Sequence, residues 1–130
     1  MEKTRSTRQK QLILDILRHS DTPITATALY RRAVLLYPSL AKSTVYRNLD
    51  AMAARGEVER GYLETGESFF RMAGQGHRHY MICRDCNRMQ DLPGCPMAGL
   101  SELVAHDGFV PTEHVVQVYG YCRECASKHK

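Results

Sequence analysis

An α+β chain in two parts is what this sequence predicts, and three observations predict it. Residues 1–75 carry three helical periods followed by two strand-like runs; residues 76–130 read β-β-α-β. The second part also holds two Cys-x-x-Cys pairs, Cys83-Arg84-Asp85-Cys86 and Cys122-Arg123-Glu124-Cys125, separated by 35 residues. Four thiolates presented by two tight turns are the ligand set of a closed tetrahedral zinc site. A disulfide framework fits poorly, because five cysteines leave one over and the polar, basic start at Met1 does not read as an export signal. A lone Cys-x-x-Cys would suit redox chemistry, but a second pair at this spacing argues for metal. We therefore expect Cys83, Cys86, Cys122 and Cys125 to hold a structural Zn²⁺.

In the first part, Ser6-Thr7-Arg8-Gln9 matches a capping box with Ser6 as N-cap. Leu12, Ile13, Ile16 and Leu17 then repeat at helical spacing to about Arg18, and Asp21-Thr22-Pro23 breaks the run. Thr25 is placed to cap a second helix whose Leu29, Tyr30, Ala33, Leu36 and Tyr37 share a face before Pro38. Ser43 is expected to cap a third, buried through Val45, Leu49, Met52 and Ala53, with Gly56 just past its end. Glu57–Leu63 and Ser68–Met72 flank Glu64-Thr65-Gly66-Glu67 as a hairpin. Three short helices and a hairpin make the winged form of the helix-turn-helix, whose third helix reads the major groove. Arg5, Arg8 and Lys10 at the start of the first helix, with Lys42, Ser43, Thr44, Tyr46 and Arg47 at the start of the third, are the expected DNA-contacting set. The basic residues would meet phosphates, and Tyr46 would pack on a thymine methyl.

Charge follows the same division. Residues 1–75 hold 12 Lys/Arg against 8 Asp/Glu, whereas residues 76–130 hold 6 of each along with all five Cys and five of the six His. An anionic partner for the first part and metal for the second are the natural reading. Gln75-Gly76 marks the expected boundary between domains 1–75 and 76–130. Beyond it we expect strands over Tyr80–Ile82, Arg88–Leu92 and Val115–Tyr119, and an amphipathic helix through Met97, Leu100, Leu103 and Val104 ending near Asp107-Gly108. The tail Lys128-His129-Lys130 is expected to be disordered. So small a unit has an incomplete core and a free strand edge, both reasons to dimerise. No apolar run approaches membrane-spanning length. Reduced thiols without an export signal suggest the cytoplasm. An enzyme is not expected, since a Cys₄ zinc leaves no coordination position open and no nucleophile–base pair stands out.

From end to end the chain resembles the ferric uptake regulator family of metal- or peroxide-sensing repressors. The stretches that carry the likeness are Thr4-Arg5-Ser6-Thr7-Arg8-Gln9, Ser43-Thr44-Val45-Tyr46-Arg47-Asn48-Leu49, the run from His77 to Cys86, and Val118-Tyr119-Gly120-Tyr121-Cys122. The resemblance implies a homodimer on a palindromic double-stranded operator, a C-terminal dimerisation domain and a second metal site controlling DNA binding. Members usually build a hinge site from a His ahead of helix 2, a residue at the end of the wing and two His before the first Cys. Here those positions read Pro23, Arg71-Met72-Ala73, Arg78 and Tyr80, leaving only Glu59 and Asp91 of the usual donors nearby. The family's other site, inside the dimerisation domain, is better kept: His77, His79 and His114 match, while its acidic ligand falls at Ala98.

Cys95 lies three residues before Ala98, about one helical turn, and is the cysteine that the zinc clamp leaves unused. It reads either as the fourth ligand or as a small buried side chain with no ligand role. With Cys95 included, one thiolate and three imidazoles suit Zn²⁺ better than Mn²⁺ or Fe²⁺. A zinc-responsive repressor is thus the expectation, set against an iron, manganese or peroxide sensor of the same family. A zinc-stabilised winged-helix adaptor that binds protein is the reading from another class. His19 and His106 near helix C-termini are assigned to helix-dipole effects.

Overall fold

The computed structural model describes residues 5–97 and 99–129, apart from the side chains of Arg5, Ser6 and His106. The chain divides into two compact units, Met1–Gln75 and Gly76–Lys130.

In the first unit α1 spans Arg5–Arg18, α2 Ala26–Leu36 and α3 Lys42–Ala54. Helix α1 is already formed at Arg5, so Ser6 lies inside it rather than at its cap; the capping box itself falls on side chains outside the described set. Thr25 does cap α2, its Oγ1 accepting the Ala28 N–H at 3.1 Å. Ser43 does not cap α3. The cap is Ala41, whose carbonyl accepts from Thr44 and Val45 while no side chain assists, and Leu40, almost fully buried, anchors the approach instead. The α3 helix stops as expected, with Gly56 in the left-handed region at φ 75°.

These helices close on one core in which Ile13, Leu29, Ala33, Val45, Leu49 and Met52 are fully buried. Leu36 is not part of it: with Leu35 it is mostly exposed at the end of α2. The wing is a hairpin of β2 (Val58–Tyr62) and β3 (Ser68–Met72), turned at Gly66 with φ 93°. It is wider than expected, because the two-residue β1 (Ile24–Thr25) adds to β3 and gives a three-stranded antiparallel sheet ordered β1-β3-β2. Phe70 seats that sheet on the helices. The unit is a winged helix-turn-helix.

The second unit follows the expected β-β-α-β order. Strands β4 (Tyr80–Cys83) and β5 (Met89–Asp91) pair antiparallel, and β6 (Gln117–Gly120) joins β4 in parallel with Tyr80 opposite Gln117. Between them α4 is only Leu100–Val104, continued by a 3₁₀ turn over Ala105–Asp107 that ends at Gly108. None of the α4 residues is buried. A short α5 (Arg123–Ala126) follows, and Lys128 and His129, expected to be disordered, lie in a 3₁₀ turn over Ser127–His129; Lys130 lies outside the described residues. Tyr80, Ile82, Cys83, Met89 and Cys125 supply most of a small core.

Candidate metal centres and nucleic-acid surface

The described residues contain two clusters able to hold a metal ion, Cys83/Cys86/Cys122/Cys125 and His77/His79/Cys95/His114, and in each the donor atoms lie within 4.8 Å of one another.

The Cys₄ cluster sits where parallel pairing of β4 and β6 brings the ends of both strands together, Cys83 opposite Gly120. On the first side the chain turns through Asn87 (φ 61°), with the Asn87 N–H on the Cys83 carbonyl at 3.0 Å, so Cys83 and Cys86 face one point. On the second, Cys122 caps α5 and Cys125 lies within its single turn. Tetrahedral zinc with Zn–S near 2.3 Å needs sulfurs about 3.8 Å apart; Cys86 and Cys122 Sγ are 3.9 Å apart. Backbone N–H groups of Cys86 and Cys122 hold the Cys83 thiol down to about 6, whereas the sulfur of Cys122 and burial push Cys125 up to about 12. Sulfurs this close shed a first proton easily and a last one only against a bound cation, so the donor set fits Zn²⁺.

The second cluster is built by alternation. His77 and His79 are two residues apart on an extended segment and therefore face the same way. Arg78, between them, turns aside to Asp91 of β5 at 2.8 Å. His79 is 3 % exposed; its Nδ1 accepts the Val116 N–H at 3.3 Å, leaving Nε2 toward the cluster. Burial, then the neighbouring His77 and His114, lowers its pKa, which favours the neutral ring that a metal requires. His114, on the segment before β6, is the hub: its Nε2 lies 3.1 Å from Nε2 of both His77 and His79, and 3.2 Å from Cys95 Sγ. Nitrogens bound to tetrahedral zinc at 2.0–2.1 Å are about 3.3 Å apart. Cys95 is exposed on the Pro93–Pro96 loop, which overturns its reading as a small buried side chain. Ala98 lies outside the described residues.

The two acidic residues left from a hinge site are both engaged. Glu59 accepts from Arg71 directly across the wing (2.6 Å), and Asp91 from Arg78. Sequence reasoning missed these pairs.

In the first unit Thr44, Arg47, Asn48 and Ala51 of α3 and Arg55 just past its end form one stripe flanking the buried face, and with Gln9 and Lys10 of α1 they line an open trough of about 710 Å³. Lys10, Arg47 and Arg55 line it; Lys10 and Arg55 share Glu57 as an ion-pair partner at 3.4 and 3.1 Å, so Arg47 leads the attraction for a polyanion. Of the expected DNA-contacting residues, Arg8, Lys42, Ser43 and Arg47 are exposed and Thr44 is half-buried. Tyr46 is half-buried against the core with Lys42 Nζ 5.9 Å from its ring centre, so only part of it can meet DNA. The Arg5 side chain lies outside the described residues. Sequence reasoning placed Asn48 on the outward side of the third helix with Thr44, Tyr46 and Arg47, but did not pick out Gln9 or Arg55 for this surface; the 44-47-48-51-55 period was the available signal.

Comparison with known proteins gives the family. The family model described as "Ferric uptake regulator family" matches residues 2–119. The chain is 31 % identical over 124 residues to the zinc uptake regulation protein of Mycobacterium tuberculosis, covering 95 % of each. It is 32 % identical over 126 residues to the peroxide-responsive repressor PerR of Staphylococcus aureus, covering 95 % of this chain and 84 % of that one. Among solved structures it is similar to the Vibrio cholerae ferric uptake regulator, with TM-score 0.78 at 27 % identity over 94 % and 92 % of the two chains. From its paired clusters, its winged helix and these matches, the chain belongs to the ferric uptake regulator family.

Proposed function

We propose that this member of the family is a zinc-responsive repressor that binds a palindromic operator as a homodimer. The His77/His79/Cys95/His114 cluster carries the reading: one soft thiolate and three imidazoles, with no carboxylate among them, fit zinc better than iron or manganese. Similarity to the mycobacterial zinc uptake regulation protein supports the same choice. Similarity to a peroxide-responsive repressor keeps an iron-sensing reading in play, but the Cys/His₃ donor set offers no oxygen ligand.

The winged helix would meet DNA through the α3 stripe and Arg8. The second unit would supply the dimer, because β6 is an edge strand and Leu103, Phe109, Val110, Val115 and Val118 of the same unit are left exposed. Filling the cluster would fix His77, three residues after Gly74, and so restrain the segment joining the two units. Zinc can raise operator affinity only by binding the DNA-competent arrangement more tightly.

The test is a DNA fragment selected from a random pool by the zinc-loaded protein, then titrated in parallel with Zn²⁺, Mn²⁺ and Fe²⁺. Zinc is expected to restore binding after mild chelation at far lower concentration than the others. Restoration by Fe²⁺ or Mn²⁺ first would overturn the zinc assignment; binding indifferent to every metal would overturn the regulator reading.

A further inference from the structure

The chain does not leave the Cys₄ cluster after Cys125. Ser127 Oγ donates to the Glu124 carbonyl at 2.8 Å, and the 3₁₀ turn Ser127–His129 folds the tail back over both knuckles. There the His129 ring stacks on Tyr121, with centroids 3.8 Å apart and planes 12° from parallel. Its Nε2–H donates to Asp85 Oδ2 at 2.7 Å. Asp85 precedes Cys86 in the first knuckle, and Tyr121 precedes Cys122 in the second. One imidazole therefore touches both knuckles, beside the backbone pairing of β4 with β6. Arg88 and Glu124 make a longer ion pair across the same gap, 3.7 Å.

The placement is selective. Cys83 and Cys125 are buried, while Cys86 is exposed and Cys122 partly so. A competing ligand must enter on the side of Cys86 and Cys122, and their chain neighbours are the two residues that His129 holds. We propose that His129 is a positioning residue for the Cys₄ site, a staple that keeps its solvent-facing half closed and slows loss of the metal to competing thiols or chelators. The proposal rests on the reading of the four cysteines as a zinc site. Groups that orient metal ligands from outside typically change metal affinity 10–100-fold. An exposed ion pair alone contributes little, so most of the effect must come from holding two backbones at once.

The experiment follows zinc transfer to excess chromogenic chelator from the full-length, zinc-loaded protein. It is done in a Cys95→Ala background, so that only four thiolates remain, with Cys₄ occupancy checked by the thiolate charge-transfer band of the cobalt form. His129→Ala is expected to speed transfer about tenfold, and Asp85→Asn, which leaves the Tyr121 stacking in place, by less. The double variant should be no faster than His129→Ala alone, because that substitution already removes the contact with Asp85. His129→Phe, which keeps the stacking, should lie between. Cobalt spectra should stay unchanged, since the ligands themselves are intact. Rates within twofold of the parent in both single variants, or independent additive effects, would overturn the staple. A parent protein that binds no zinc through the four thiols would instead overturn the Cys₄ reading, and the two failures are told apart by that control.

Discussion

His114→Ala is the sharpest perturbation of the second cluster, because each close donor–donor approach found there passes through this ring, 3.1 Å to His77, 3.1 Å to His79 and 3.2 Å to Cys95. Four-ligand zinc sites bind with roughly 10–16 kcal/mol, so one ligand of four accounts for roughly 2.5–4 kcal/mol. At 1.4 kcal/mol per decade, the zinc midpoint should rise by about two to three orders of magnitude. Folding should survive, since His114 is partly exposed and outside the small core. The assay is fluorescence anisotropy of a selected DNA fragment against buffered free zinc, with circular dichroism as the folding control. A folded variant whose DNA binding keeps the parental zinc midpoint would refute the assignment of this cluster as the sensor.

Arg47→Ala removes an exposed cation from the α3 trough; binding should weaken on all sequences and the salt slope should fall by about 1, whereas an unchanged slope would remove Arg47 from the interface. In the wing, a Cβ on Gly61 would run into the buried Phe69 ring, so Gly61→Ala should cost about 1–3 kcal/mol in equilibrium urea unfolding. An unaltered midpoint there would mean the ring has room to move. The Arg55 guanidinium, joined by Lys10 and opposed by desolvation, holds the Glu57 carboxyl below its ordinary 4.5. The folded value is the lower one, so the stabilisation is complete above 4.5 and is lost as pH falls through the folded value. Urea midpoints for the parent and Glu57→Gln should therefore differ at neutral pH and converge in acid; a constant gap would contradict the pairing. Val118→Glu, on the exposed edge strand, should give monomers by sedimentation, and an intact dimer would move the interface elsewhere.

Much of this was legible in the sequence because it rests on local periodicity. Leu49 and Val45 share a helical face whatever surrounds them, and a Cys-x-x-Cys pair makes its own turn. The unread features depend on contacts distant in sequence. The β1 strand is two residues long and exists only because β3 passes beside it. Leu36 has the right spacing for burial but is the last residue of its helix and stays exposed. Ser43 is a good capping residue two positions past the actual cap, Ala41, which follows the buried Leu40. Glu59 and Arg71 become partners through hairpin register, which the Gly66 turn fixes. Cys95 illustrates the limit best: its spacing from the histidines left two readings open, and the fold of one proline-flanked loop brought its sulfur to His114. The tail order at His129 likewise comes from Tyr121 and Asp85, neither of them its neighbour in sequence.

Zinc X-ray absorption on the fully loaded protein addresses the paired-cluster account at its root. Two filled sites per chain, one of four sulfurs and one of a sulfur with three imidazole nitrogens, predict an average shell of about 2.5 sulfur and 1.5 nitrogen per zinc. With both sites kept filled, Cys95→Ala should lower the average from about 2.5 to about 2 sulfurs per zinc while leaving the short Zn–S distance unchanged. A shell of sulfur alone at one zinc per chain, or a second zinc held by oxygen and untouched by Cys95→Ala, would contradict it.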